Sequence, residues 1–239
     1  MVHNSRLEFY RSRYAKLKLH WMHATARYQA LIAHYIQSGA RILDLGCGRG
    51  GVVERLGAVG YWFGVDPDWH SLAMHRTSFF PRSCAGATAL PIAQDSIDIV
   101  LSSWVLEHLP DPESVFYEIA RITRPGGHFF FLTPNVWHPI PRLSQRLTKS
   151  LKTQRALVQR LYKRVPADTF AVYYQAHTWK QIDICAAQAG LQLREVEFIE
   201  DPSYLAWNAL TFASAVAFEN LLPACWHVHI VGHYIVREG

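Results

Sequence analysis

The first part of the chain places apolar side chains at the spacing of an amphipathic helix. Between residues 5 and 37 they stand at helical spacing in two groups, first Leu7, Tyr10, Tyr14 and Leu17, then Tyr28, Leu31, Ile32 and Tyr35. This periodicity predicts one or two helices, and Gly39 stands where a glycine commonly closes a helix. Residues 1–38 are therefore interpreted as an N-terminal helical cap.

From residue 39 to residue 135, short apolar runs typical of strands alternate with segments of helical spacing. The strand-like runs are ARILDL, YWFGVD, SIDIVLSSWV and HFFFLTP, and the helix-like segments are GVVERLGAVG, DWHSLAMHRT and DPESVFYEIARIT. Such alternation predicts an α/β fold with a parallel sheet covered by helices. Asp111 and Pro112 make a helix start, and RPGG at 124–127 makes a helix stop.

Beyond Pro134 this alternation ends in a basic insertion over residues 136–177, with a predicted helix at Leu143–Arg164. Residues 178–239 then complete the sheet. They begin with a helix that has Thr178 as a possible N-cap, and they include the alternating segments LQLREVEFIE and CWHVHIVGHYIVRE. The second of these is expected to pair antiparallel at the far side of the sheet.

Residues 202–218 contain no charged side chain, but interspersed Ser, Asn and Thr make them a marginal membrane span. We expect a buried helix here, or one that covers an apolar pocket, with contact at a membrane surface as the lesser alternative. The whole chain, residues 1–239, is interpreted as one domain, because a length of this order fits a single core.

The composition bears on the cellular compartment of the protein and on the role of its basic residues. The chain is 50% hydrophobic, which excludes general disorder, and its four cysteines lack C-x-x-C spacing. Free thiols and a charged N-terminus without an apolar signal region favour the cytoplasm. Eight Lys or Arg residues and no acid lie between Arg142 and Arg164. A solvated helix face explains this block best, with nucleic acid or an anionic membrane as alternatives.

The stretch ILDLGCGRGG at 42–51 predicts a tight turn from a strand into a helix. Gly46 and Gly48 allow a ligand to approach the backbone, and the helix start offers free N–H groups. Asp66 ends the next apolar strand, where its carboxylate can accept hydrogen bonds from both ribose hydroxyls. These features predict a ligand that contains a nucleoside. The glycine spacing also satisfies G-x-G-x-x-G, so a dinucleotide stays an alternative.

The surrounding motifs resemble those of the class I S-adenosylmethionine-dependent methyltransferases, particularly the small-molecule enzymes of the type 11-like superfamily. The motifs are D-L-G-C-G-R-G, V-D, L-P, D-I-V, L-E-H-L and R-P-G-G, in that order over residues 40–135. The resemblance implies a Rossmann-like, seven-stranded, mostly parallel sheet with helices on both faces and an antiparallel last strand. It implies S-adenosylmethionine as the cofactor.

The resemblance also assigns residues to the parts of that cofactor. Asp44, Gly46, Cys47 and Gly48 would line its methionine end, and Asp66, followed by Pro67, would hold the ribose. The remaining cofactor positions implied are Ser102 and Ser103 beside the methyl group, Gly86, Ala87 and Thr88 beside the adenine, and Tyr14 on the N-terminal helix. Core packing is the alternative for Tyr14. Relatives often carry an acidic residue before L-P, where this chain has Gly86.

Methyl transfer needs a general base only if the acceptor is protonated. The candidates are His108, His138 and His177, because histidine titrates near neutral pH. The acceptor is expected to contact Trp104, Trp137, Tyr173 and Tyr174. Some relatives have E-x-x-E-H after the fourth strand and bind a divalent metal. Here Trp104 replaces the first glutamate, so no metal is predicted.

These observations favour methyl transfer to a small molecule that is partly apolar and carries an anionic group. An RNA methyltransferase is an alternative because of the basic blocks, although the chain has SSWV in place of N-P-P-Y or D-P-P-Y after the fourth strand. We also consider a catalytically silent partner protein and a nicotinamide oxidoreductase. Cofactor binding distinguishes the last two functions from methyl transfer.

Overall fold

The structure is a computed structural model and describes residues 2–57, 59–77, 80–142 and 178–237. Within these residues, the helices are α1 (Val2–Leu17), α2 (Ala24–Ala33), α3 (Val53–Leu56), α4 (Trp69–Ala73), α5 (Pro112–Ile122), α6 (Trp179–Gln188) and α7 (Ala209–Leu221). The strands are β1 (Arg41–Leu45), β2 (Tyr61–Asp66), β3 (Arg82–Cys84), β4 (Ile97–Ser103), β5 (Thr123–Pro134), β6 (Leu191–Ile199) and β7 (His229–Val236). The helix predicted at Leu143–Arg164 lies outside the described residues.

The seven strands form one sheet in the order β3-β2-β1-β4-β5-β7-β6. The four pairings among β1 to β5 are parallel, and the last strands are antiparallel. Helices lie around the sheet. The predicted α/β, Rossmann-like architecture is therefore confirmed.

The register of the central strands brings three carboxyl ends together. Leu45 at the end of β1 pairs with Val65 of β2 on one side and with Ser102 of β4 on the other. Ligands bind beyond the carboxyl ends of the strands in open sheets of this type. The residues that follow β1, β2 and β4 therefore lie at one edge, where a site can form.

The central strands are buried along nearly their whole length, as expected for parallel strands covered on both faces. In β5, the run from Phe129 to Leu132 is fully buried. Burial of these side chains is the main source of stability, since a buried Leu or Phe contributes about 1.5–3 kcal/mol.

Helix starts follow the local sequence signals. The Asp111 carboxylate accepts a hydrogen bond from the Ser114 backbone N–H at 3.2 Å, and Pro112 is the first residue of α5. The Thr178 hydroxyl accepts one from the Gln181 N–H at 3.3 Å. Both predicted caps are confirmed. The helix ends at Ile122, just before RPGG at 124–127 as predicted, and the RPGG residues belong to β5.

The two helices near the glycine turn are shorter than their patterns predict. Helix α3 has four residues, because Gly51 (φ +153°) and Gly57 (φ +79°) bracket it in backbone conformations outside the helical region. Helix α4 ends at Ala73, and the Arg76 N–H then donates to the Arg49 carbonyl oxygen at 3.1 Å. That contact draws the chain away from the helix axis.

The N-terminal helical pattern yields two helices, as predicted, but Gly39 does not close the second. Helix α2 ends at Ala33, and Gly39 (φ +85°) occupies a later turn that leads into β1.

The uncharged stretch at 202–218 is only partly buried, which corrects the expectation of a buried helix, while a helix that covers an apolar pocket stays a prediction. It comprises a short 3-10 turn at Pro202–Leu205 and most of α7, which buries Phe212, Ala215 and Glu219 along one face. The opposite face is exposed, and Leu210 is 76% accessible. Among the described helices, none is long and apolar enough to cross a membrane.

The contacts divide the chain into two compact units. The larger comprises Thr25–Thr133, Tyr173–Glu197 and Val231–Gly239, and the smaller comprises Met1–Ala24, Pro134–Val172 and Phe198–Ile230. In the smaller unit, Tyr10, Tyr14, Ala206 and Phe212 form an apolar cluster with Trp21 packed against it. The single domain over residues 1–239 stays a prediction.

Candidate functional site

The glycine turn after β1 adopts a backbone that side chains would disturb. Gly46 has φ +77°, and a Cβ placed there would lie 2.2 Å from Cγ2 of Val105. The N–H groups of Gly46 and Cys47 both donate to the Val65 carbonyl oxygen, at 2.7 and 3.2 Å. The turn is therefore held between β1 and β2, with room that only glycine leaves open.

Asp66 ends β2 and ties this turn to the next one. Its Oδ2 accepts a hydrogen bond from the Gly48 N–H at 2.9 Å, and its Oδ1 accepts one from the Asp68 N–H at 2.8 Å. Burial raises the pKa of Asp66, and these two donors oppose that shift. A carboxylate offers about four acceptor positions, so two hydrogen bonds leave capacity for further donors.

Asp44, inside β1, is a buried carboxylate of a different kind. It is 3% exposed, and no hydrogen bond reaches its side chain from the described residues. Burial raises its pKa to about 7, and the charge of Asp66 adds to the effect. An ionised carboxylate is costly to bury without a donor, so Asp44 has an unmet need for a hydrogen-bond donor or a cation.

A cavity of about 270 Å³ opens in front of Asp44, wholly within the larger unit. Its walls come from α2, the glycine turn, α3 and the end of β4. The lining residues are Thr25, Gln29, Asp44, Gly46, Cys47, Gly50, Gly51, Val52, Arg55, Ser103 and Trp104. Five of them are predicted site residues, which the structure thus brings together.

The other lining residues were missed by sequence reasoning. Thr25 and Gln29 stand four residues apart on one side of α2, a polar spacing that could have signalled a functional face. Gly50 and Gly51 belong to the same glycine run as the predicted positions. No sequence signal singles out Arg55 among the many arginines of the chain.

Two neighbouring serines at the end of β4 have different surroundings. Ser103 lines the cavity, whereas Ser102 is fully buried and its hydroxyl oxygen has no partner in the described part of the chain. The next residue, Trp104, has φ +61°, and its N–H donates to the Leu132 carbonyl oxygen at 2.8 Å. Left-handed backbone is uncommon for a bulky residue, and here it accompanies a tryptophan that faces the cavity.

The positions predicted to contact adenine follow β3. The Ala85 N–H donates to the Asp66 carbonyl oxygen at 3.2 Å, so this segment runs beside the end of β2. Gly86 and Thr88 are exposed and Ala87 is half-buried. Pro67 belongs to the same edge, since the Cys84 thiol donates to its carbonyl oxygen. Contact of these residues with a cofactor stays a prediction.

Glu107 and His108 lie in a short 3-10 turn (Leu106–His108) after β4. Glu107 is buried and accepts a hydrogen bond from the Thr133 hydroxyl at 3.1 Å. Burial raises the pKa of Glu107, and the nearby His108 opposes that shift. The His108 Nε2 atom is 4.0 Å from Glu107 Oε1, beyond hydrogen-bond distance. A catalytic role for His108 stays a prediction.

Three other predicted residues lie in the smaller unit. His138 is fully buried, with Nε2 3.2 Å from Glu219 Oε1. Trp137 is half exposed, and its ring centroid is 5.9 Å from that of Trp226. Tyr14 packs in the apolar cluster and donates its hydroxyl hydrogen to Glu200 at 3.1 Å. For Tyr14 this is the core-packing alternative.

The remaining predicted residues, His177, Tyr173 and Tyr174, lie outside the described residues. Within the part of the chain that is described, no group of three or more His, Cys, Asp or Glu could hold a metal ion.

Comparison with known proteins identifies the family to which the chain belongs. Residues 43–131 match the model of a methyltransferase domain. Over 209 residues the chain is 32% identical to an uncharacterized methyltransferase of Mycobacterium avium (strain 104), covering 84% of this chain and 73% of the relative. The chain belongs to the S-adenosylmethionine-dependent methyltransferases. Its cofactor is S-adenosylmethionine.

Two further matches are consistent with this family assignment, one in sequence and one in structure. An uncharacterized methyltransferase of Mycolicibacterium vanbaalenii is 41% identical over 108 residues, which cover 42% of this chain but only 41% of that relative. The crystal structure of an S-adenosylmethionine-dependent methyltransferase from Mesorhizobium loti superposes with a TM-score of 0.59 at 18% identity, covering 87% of this chain and 97% of that one. The latter likeness supports the fold.

Proposed function

We propose that this methyltransferase acts on a small-molecule acceptor that is partly apolar and carries an anionic group, at the cavity in front of Asp44. The observation that carries the proposal is the buried Asp44 carboxylate beside the glycine turn. It lacks a donor from the described residues, and an ammonium group would supply one. S-adenosylmethionine has such a group at its methionine end, so the residues present fit this cofactor.

When bound, the cofactor supplies a methyl group that its positive sulfur already activates. Asp44 would hold the amino group, and Asp66 would accept the ribose hydroxyls with the acceptor positions that its two backbone donors leave free. At Gly46 the Val105 side chain fills the place that a Cβ would take, so any larger residue there would disturb the turn beside the proposed ligand.

Positioning of the acceptor would provide most of the catalysis. Holding two reactants in line can supply about 7–11 kcal/mol of the barrier without acid–base chemistry. Ser103 and Trp104 line the cavity at the carboxyl end of β4, where they could orient an acceptor. If the acceptor is a hydroxyl, His108, which follows β4 beside the Glu107 carboxylate, is the base that we propose.

The proposed chemistry of the acceptor follows from the cavity wall. Trp104 offers an apolar surface, and Arg55 offers a positive charge in the same cavity. This combination favours an apolar molecule with a carboxylate or phosphate. RNA is the second candidate acceptor because of the basic block at residues 142–164.

The cysteines support the proposed cytoplasmic location. All four are free in the structure, and Cys47 is buried under the glycine turn, where burial raises the pKa of its thiol to about 12. A protein with only free thiols suits a reducing compartment.

The test is a calorimetric titration of S-adenosylhomocysteine into the intact protein, into Asp66→Ala and into Asp68→Asn, with NAD as the control ligand. We expect Asp66→Ala to weaken binding by about 1–3 kcal/mol, and Asp68→Asn to leave it unchanged, because Asp68 contacts Asp66 through its backbone N–H. Failure of the intact protein to bind S-adenosylhomocysteine would favour the silent partner protein.

The acceptor class is tested with S-adenosylmethionine that carries a radiolabelled methyl group. The protein is incubated separately with a small-molecule extract and with total RNA, and label transfer is counted in each. Transfer to the extract supports the proposal, and transfer to RNA alone supports the second candidate.

A further inference from the structure

One face of α1 carries cations and apolar side chains in alternation. Arg6, Phe9, Arg13, Lys16 and Leu17 are spaced by three, four, three and one residues, so they share one side of the helix. Tyr10 and Tyr14, which lie next to this side around the helix, are buried. Phe9 is 56% exposed and Leu17 is 67% exposed. The outward side of α1 therefore combines positive charge with large apolar groups that are more than half exposed.

The start of α7 extends this face. Trp207 and Leu210 are 60% and 76% exposed. The Arg6 guanidinium carbon lies 4.9 Å from the Trp207 ring centroid, and that of Arg13 lies 5.4 Å from the Phe212 ring centroid. These contacts join the two helices within the smaller unit. We refer to Arg6, Phe9, Arg13, Lys16, Leu17, Trp207 and Leu210 together as the α1–α7 face.

The α1–α7 face is positively charged because the acids around it are buried. The described part of the smaller unit has four carboxylates, Glu8, Glu200, Asp201 and Glu219, and the last three are buried. Glu8 is exposed, but it is paired with Arg11 at 3.1 Å. Arg13 and Lys16 thus face solvent without an acid beside them to neutralise the surface.

We propose that the α1–α7 face binds the surface of an anionic lipid bilayer. Basic side chains that alternate with exposed Trp, Phe and Leu suit the headgroup region, where the cations meet lipid phosphates and the apolar groups enter the acyl boundary. A second copy of the chain would bring like charges together, which opposes self-association. Single-stranded RNA would use the aromatic rings but gain little from Leu17 and Leu210, since base stacking needs aromatic partners.

This inference does not depend on the proposed acceptor or on the cofactor cavity, which lies in the larger unit. The test is flotation of the full chain with vesicles of phosphatidylcholine and phosphatidylglycerol in equal parts, compared with vesicles of phosphatidylcholine alone. We expect binding to the anionic vesicles, weakened by salt, and little binding to the neutral ones.

Two variants remove the two contributions separately. The double change Arg13→Gln and Lys16→Gln should weaken vesicle binding by about fivefold per charge removed. The double change Trp207→Ser and Leu210→Gln should weaken it by about tenfold or more. The matched controls are Lys180→Gln and Trp69→Ser, exposed residues of the larger unit, with Trp69 71% accessible. Both controls should bind vesicles like the unchanged chain.

Titration of S-adenosylhomocysteine into each variant shows whether the fold and the cavity are intact, and we expect unchanged affinity. The proposal is overturned if the intact chain does not float with anionic vesicles, or if both double variants float as it does. It is also overturned if the intact chain binds RNA more tightly than anionic vesicles and the double variants lose that RNA binding. A dimer seen by light scattering that the Trp207→Ser and Leu210→Gln change dissociates would overturn it as well.

Discussion

Asp44 in the larger unit and Asp201 in the smaller unit are buried in opposite ways. In the larger unit, Asp44 is buried without a donor from the described residues, and burial raises its pKa to about 7. In the smaller unit, Asp201 accepts hydrogen bonds from the Arg11 guanidinium at 2.9 and 2.7 Å and from the Ser203 hydroxyl. One carboxylate has its partners supplied by the protein, and the other does not.

Glu200 extends the pattern of the smaller unit. It accepts hydrogen bonds from Lys18 and from the Tyr14 hydroxyl, and its Oε2 lies 3.3 Å from Nδ1 of His227. Burial alone would raise the pKa of Glu200, but Lys18 and His227 bring it below its usual value. Glu200 and Asp201 thus find their partners within the protein, whereas Asp44 has no donor among the described residues and is available to a ligand.

The largest expected effect is on stability, at Asp201. Changing Asp201 to Asn leaves the Arg11 guanidinium, 17% exposed, without its buried ionic partner, so that only the exposed Glu8 pairs with it. Breaking a buried ion pair by neutralising one member costs about 3 kcal/mol. We expect the free energy of unfolding, measured by equilibrium urea denaturation, to fall by that order, with S-adenosylhomocysteine affinity unchanged.

Glu8→Gln is the matched control, because Glu8 also pairs with Arg11 but its side chain is 55% exposed. Exposed pairs contribute about 0.2–1 kcal/mol, so this change should have little effect. Equal losses in the two variants would mean that burial does not decide the strength of these pairs.

The next effect is on affinity, at Asp44. The change Asp44→Asn keeps the volume but removes the charge that would hold an ammonium group. S-adenosylhomocysteine binding, measured by calorimetry, should weaken by about 2 kcal/mol, the contribution of a hydrogen bond to a charged group. The free energy of unfolding should not fall, since no described donor loses a partner. A loss of stability like that of Asp201→Asn would make Asp44 a structural acid and break the comparison.

A third prediction concerns the proton on Asp44. Its pKa of about 7 means that the carboxyl is largely protonated in the unliganded chain below that pH. A bound ammonium group favours the ionised form, so binding must release this proton. Affinity should therefore rise with pH between the ordinary value of 3.8 and about 7, and level off above it. The release should reach about one proton per site.

Calorimetry in two buffers of different ionisation enthalpy counts the released protons directly. Asp44→Asn is the control, and it should show a much smaller release. The same release from the variant would assign the proton to another group, and Asp66 would be the first candidate.

Sequence reasoning reached the sheet and half of the site because both rest on local signals. The strands follow from apolar runs, and Asp44, Gly46 and Trp104 stand in motifs with fixed spacing. Thr25 and Gln29 could not be found in this way, since only tertiary packing brings α2 to the cavity. The exposed side of α7 was missed for a related reason: an uncharged segment indicates burial, but composition does not say which face is covered.

The sequence also could not separate Ser102 from Ser103. Side chains alternate along a strand, so one serine of the pair faces the cavity, but the pattern SSWV does not reveal which. The structure does so through the fixed position of β4, where the Ser102 N–H donates to the Tyr28 hydroxyl at 3.1 Å. That contact holds the strand in the register that turns Ser103 toward the cavity.

The smallest expected effects concern the two neighbouring serines, Ser102 and Ser103. Ser103 lines the cavity, so Ser103→Ala should weaken S-adenosylhomocysteine binding by about 0.5–1.5 kcal/mol, the net value of one hydrogen bond. The Ser102 hydroxyl is buried without a described partner, so Ser102→Ala removes an unsatisfied polar group. It should leave affinity unchanged and raise the free energy of unfolding by about 1 kcal/mol. Calorimetry and urea denaturation of both variants measure the two quantities. A loss of affinity in Ser102→Ala, with none in Ser103→Ala, would mean that the ligand approaches β4 from the other face. The end of β4 at Ser103 would then not be part of the binding site.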